Sequence, residues 1–92
     1  MVVRFSAHAQ DKLSVRKVTE QDVIGVIENP SEQLEDIEHS LKVAIGPLNA
    51  RSLVVIYRTI GNDVKVITVY HTRKLEKLIR AKINRGAWRR VE

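Results

Sequence analysis

A chain of 92 residues without cysteine excludes disulfides and thiolate zinc sites. It allows one domain over residues 1–92 with an unstapled core, burying roughly 60–65% of the surface its unfolded form exposes. No stretch approaches the ~18 apolar residues of a membrane span, and Met1 to Ser6 lacks the apolar run of a signal peptide, so a soluble, cytoplasmic protein without membrane partners is the expectation.

The net charge of +5 is unevenly spread. Val18 to Leu41 holds no Lys or Arg but seven acids, Glu20, Asp22, Glu28, Glu32, Glu35, Asp36 and Glu38. From Thr72 onward Arg73, Lys74, Lys77, Arg80, Lys82, Arg85, Arg89 and Arg90 meet only Glu76 and Glu92. The second region suits a polyanion and the first repels one.

Val2 to Ser6 predicts a short strand, with Ser6 as N-cap of a first helix that points Ala9 and Leu13 at the core. His8, Lys12 and Arg16 recur four residues apart along that helix, Arg16 at the border of its buried face. Thr19 and Asp22 form a capping box for a second helix, Val18 and Val23 supply its hydrophobic staple, and Asn29-Pro30 ends it. Leu34 to Glu38 reads as a weak acidic strand, and Leu41 to Ile45 as a clearer one closed by a Gly46-Pro47 turn.

Ser52 to Ile60 and Asp63 to Thr72 are rich in Val, Ile, Thr and Tyr and are separated by Gly61-Asn62, predicting a hairpin. A regular ladder pairs Ile60 with Asp63, Arg58 with Lys65, Ile56 with Ile67, Val54 with Val69 and Ser52 with His71. Arg58, Lys65 and His71 then share one face, Tyr57, Thr68 and Tyr70 the other. Both faces are apolar at their centres, which predicts cover on each side. A basic helix over about 73–85, capped by Thr72 and stopped by Gly86, buries Leu75, Leu78, Ile79 and Ile83. Residues 86–92 follow as a tail in which Trp88 alone looks available to stack on a base.

F-S-x-H-A at Phe5 to Ala9, L-x-x-R at Leu13 to Arg16, D-V-x-x-V-I-x-N-P at Asp22 to Pro30 and V-I-T-V-Y at Val66 to Tyr70 together resemble the DUF4258 family, small prokaryotic domains related to the RelE/ParE-type toxins of toxin-antitoxin systems. The resemblance implies a RelE-like α+β fold, a small antiparallel sheet with two N-terminal helices and a C-terminal helix, helices on one side and a basic surface on the other. It also implies either a metal-independent mRNA endoribonuclease acting on RNA, alone or at the ribosome, or a non-cleaving binder such as a ParE-like gyrase inhibitor, with an acidic antitoxin as partner. Fold alone does not choose between them.

Cleavage by a 2′-hydroxyl needs a base, a cation for the phosphate and an acid for the leaving oxygen. His8 is the candidate base: the positive end of the helix dipole and Lys12 one turn away both favour a neutral imidazole. Arg16 is the candidate clamp, a planar fork that packing can hold, or else a structural ion-pair partner. Tyr70 or His71 is the candidate acid. Lys12, His71, Arg58, Arg80 and Arg85 are candidate phosphate contacts. Each also reads as a solvated residue, and Tyr70 as core. No metal or other cofactor is expected, because His8, His39 and His71 lack metal-ligand spacing.

Overall fold

The computed structural model describes residues 1–91; Glu92, the last residue of the expected tail, lies outside them. The elements are β1 (Val3–Phe5), α1 (Ala7–Arg16), α2 (Glu20–Glu28), β2 (Glu32–Asp36), β3 (Leu41–Leu48), β4 (Arg51–Ile60), β5 (Asp63–Thr72), α3 (Leu75–Asn84) and β6 (Trp88–Arg90). The fold is mixed α+β, one sheet of order β1-β5-β4-β3-β2-β6. Its neighbouring strands run antiparallel except β1, which lies parallel to β5.

Each face of the sheet has its own core. Ala9 and Leu13 of α1 and Val23 and Val26 of α2 pack on Ala44, Leu53, Val55, Tyr57, Val64, Val66 and Val69. On the other face Ile79 of α3, with Leu75, Leu78 and Ile83, packs on Leu34, Val43, Ile45, Val54, Ile56 and Trp88. Helices therefore cover both sides, unlike the one-sided arrangement the resemblance implied. The central strands β4 and β3 are apolar on both faces for this reason.

Two of the three predicted N-caps form. Ser6 Oγ accepts from Ala9 N–H at 3.0 Å, and Thr19 and Asp22 bond reciprocally at 3.1 Å. The last helix starts differently: Lys74 is its N-cap with no side-chain cap bond, and Thr72 Oγ1 accepts only from Lys74 N–H.

Three further sequence expectations fail for physical reasons. The β3 strand runs through Gly46-Pro47 and turns at Asn49, whose φ of 55° suits asparagine; Gly46 is needed instead for close packing under Val26. The β4–β5 ladder is regular only from Ile60–Asp63 to Tyr57–Val66. Ile67 is then an unpaired extra residue, and pairing resumes at Ile56–Thr68, Val54–Tyr70 and Leu53–His71. The residues beyond this bulge exchange faces. Finally, the expected tail forms β6 beside β2, and Trp88 is 2% exposed rather than free for stacking.

The acidic and basic regions meet at β2 and β6. Arg89 contacts Glu35 at 2.8 Å, Arg85 contacts Glu38 at 3.4 Å, and Arg90 pairs with Glu32. None of the described helices is long and apolar enough to cross a membrane.

Candidate nucleic-acid interface

The bulge decides where His71 goes. With Ile67 looped out of register, His71 pairs with Leu53 and so shares the face that carries α1, while Tyr70 pairs with Val54 and packs into the α3 core. At the end of α1, Lys17 takes the left-handed conformation (φ 56°) and its N–H caps Leu13 and Ser14 carbonyls, which turns the chain and leaves Arg16 and Lys17 exposed. The Asn49 turn brings Arg51 to the start of β4.

These pieces surround one cleft of about 300 Å³, lined by Arg16, Lys17, Leu48, Asn49, Ala50, Arg51, His71 and Arg73. Among the described residues no acidic side chain lines it, and none of its four cations is in an ion pair. Arg51 Nη1 lies 2.8 Å from His71 Nδ1. A guanidinium only donates, so Nδ1 accepts and the proton of the neutral ring sits on Nε2. The cleft therefore offers guanidinium forks, an ammonium and an imidazole N–H, a set that recognises phosphate oxygens.

Of the residues predicted from sequence, the structure brings Arg16 and His71 together and disperses the rest. His8 Nε2 is hydrogen-bonded to Thr68 Oγ1 at 3.1 Å. It stands eight residues before Arg16, about 12 Å along the helix axis. Lys12 lies between them on α1. The Tyr70 phenol is pushed up from 10.0 to about 12, by burial first and then by the Asp36 carboxylate, so it stays protonated on the face away from the cleft. Arg58 sits opposite Lys65 near the hairpin tip, Arg80 beside Glu76 and Arg90, and Arg85 on Glu38.

Lys17, Arg51 and Arg73 were missed by sequence reasoning. Their grouping depends on the left-handed cap and the Asn49 turn, neither of which has a strong local signal when Lys occupies the cap and Gly-Pro competes for the turn. Among the described residues no three His, Cys, Asp or Glu side chains cluster to hold a metal; His39 Nδ1 is held by the buried Asp36 at 3.1 Å in the β2–β3 turn.

A two-faced α+β domain with an unneutralised cationic cleft at one end of its sheet is the class defined by fold and site. The family model described as a domain of unknown function, DUF4258, matches residues 5–71, and the chain belongs to that family. No curated protein and no solved structure matches it.

Proposed function

We propose that the protein binds RNA through its phosphate backbone in the Arg16–Arg51–His71–Arg73 cleft, in the manner of a toxin-type domain akin to the RelE/ParE group. The observation that carries this reading is the gathering of four cations from the end of α1 and its cap, β4 and the β5–α3 loop around one imidazole, with no acid among the described residues lining the cleft. Aromatic rings do not serve it: Trp88 and Tyr57 are buried, and Phe5 and Tyr70 pack against the two cores. Contacts limited to phosphate bind without reading bases and weaken steeply with salt. An acidic antitoxin segment competes for the same cations.

A second reading, metal-independent RNA cleavage, is favoured by the imidazole within the cation cluster. There Arg51 leaves Nδ1 for the phosphate, Nδ1 takes the proton of the 2′-hydroxyl, the 2′-oxygen attacks phosphorus, and the 5′-oxygen departs with a proton from water. Arg16 and Arg73 face the charge that grows on the phosphoryl oxygens. His8 and Tyr70 have no part in this version.

Fluorescence anisotropy of labelled single-stranded RNA across a salt series tests the binding. The wild type is expected to lose affinity steeply with salt, and Arg16→Gln/Arg73→Gln to flatten the slope by about 0.7 per phosphate contact removed. Arg89→Ala, which breaks a pair to Glu35, is expected to leave the slope unchanged. Equal slopes in wild type and the cleft variant reject the site. Incubation with RNA in EDTA, with and without ribosomes, separates the readings, since only cleavage predicts product that disappears in His71→Ala.

A further inference from the structure

We infer that Arg4, Lys65 and Arg58 form a second phosphate-binding site, on the open face of the sheet and separate from the cleft. The β1–β5 pairing sets Arg4 opposite Lys65, and the β5–β4 pairing sets Lys65 opposite Arg58. Partners in register share a face, and neighbouring strands lie about 4.8 Å apart, so the three cations stand in a row about 10 Å long across three strands. All three are exposed.

The alternate residues Val3, Phe5, Val64, Val66 and Tyr57 face the α1–α2 core, which puts the row on the α3 side. Helix α3 covers that side further along the sheet, over Val43, Ile45, Val54 and Ile56, and leaves the row open. Lys65 and His71 are six residues apart on β5, about 20 Å. They also lie on opposite faces, so one phosphate cannot reach both sites.

Like charges directly opposite one another destabilise a sheet. Here two such pairs share Lys65, and among the described residues no carboxylate forms an ion pair with any of the three. Asp63 lines the same groove of about 400 Å³ as Arg4 and Lys65, but its Oδ1 accepts from Val2 N–H at 3.1 Å. One carboxylate, already bonded to a backbone N–H, thus stands beside three cations, and the row keeps a net positive charge. A ligand with several negative groups in line relieves the repulsion, and guanidinium and ammonium donors select phosphate. The ligand class is a chain of adjacent phosphates, supplied either by an RNA backbone or by an inorganic polyphosphate.

The site stands whether or not the cleft binds RNA, and a local readout keeps the two apart. Isotope-labelled protein is titrated at constant ionic strength with tripolyphosphate and, separately, with a short single-stranded RNA, following amide resonances. The amides of Arg4, Arg58 and Lys65 are expected to shift saturably with at least one ligand. They should do so equally in Arg16→Gln/Arg73→Gln, with affinity lowered about tenfold in Lys65→Gln. Removal of the repulsion should also raise the melting temperature of Lys65→Gln, which excludes unfolding as the cause of weaker binding. A response to RNA alone assigns the nucleic-acid backbone, and one to tripolyphosphate alone assigns the inorganic chain. Amides that stay still with both, or drift without saturating, overturn the proposal.

Discussion

Ser6 donates its hydroxyl to the carbonyl of Ile67 at 3.0 Å while the same oxygen accepts the Ala9 N–H at 3.0 Å. One side chain therefore starts α1 and satisfies the backbone of the residue that breaks the β4–β5 ladder. Because the bulge turns His71 toward Arg16, the helix cap and the cleft share a support. Ser6→Ala removes both bonds, and a loss of about 2 kcal/mol in urea unfolding is expected. RNA affinity should fall with it under conditions where the variant is fully folded. A variant with wild-type stability would show that neither bond matters.

The elements most legible in the sequence were those with local chemistry: the Ser6 cap, the Thr19–Asp22 box and the Gly61-Asn62 hairpin turn all formed at the expected residues. What stayed hidden depends on contacts between distant segments. No pattern around Ile67 announces a bulge, because the carbonyl it frees is taken by Ser6, 61 residues away. The three residues of β6 are too few to show alternation and form a strand because Leu34, Glu35 and Asp36 present an edge to them. The His8, Lys12, Arg16 row was correctly placed on α1, yet only Arg16 reaches the cleft, since a helix that tracks β5 spreads the row along its length.

Lys17 holds a left-handed conformation that glycine adopts without steric cost. Lys17→Gly is expected to raise stability by about 1 kcal/mol, measured as a shift in urea midpoint. The same change removes a cleft cation, so the salt dependence of RNA binding should flatten by about 0.7 in slope. A variant that gains stability with RNA binding untouched would remove Lys17 from the interface.

The Tyr70 phenol ionises at about 12 in the fold against 10.0 when free. The raised value means that the neutral ring stabilises the fold fully below pH 10, and that this contribution is lost as pH climbs toward 12. Tyr57 is also raised by burial, so the comparison must isolate Tyr70. Wild-type stability should fall more steeply between pH 10 and 12 than that of Tyr70→Phe, in which Tyr57 is retained. Parallel curves would contradict the buried setting.

Trp88 is the sole tryptophan, buried beneath Lys82, whose Nζ lies 5.5 Å from the ring centroid. Its emission should be blue-shifted and poorly quenched by acrylamide. Saturating RNA should leave both properties unchanged, because phosphate contacts in the cleft do not touch β6. Strong quenching by RNA would point to a base stacked on the indole and to an opened C-terminal strand.

Gly46 tests how tightly α2 is held against the sheet. A Cβ at this position would lie 2.9 Å from Val26 Cγ2 and 3.4 Å from Cγ1. Valine is stiff at χ1, and Val26 is buried between α2 and the sheet, so neither methyl can swing away without moving the helix. Gly46→Ala is therefore expected to cost about 1–3 kcal/mol by overpacking. Val26→Ala loses buried surface but frees the space that the new methyl requires. The double variant should then be more stable than the sum of the two single losses predicts, since the residues are in contact and couple. Equilibrium unfolding of the four proteins measures that coupling, and simple additivity would show that α2 already has room to move.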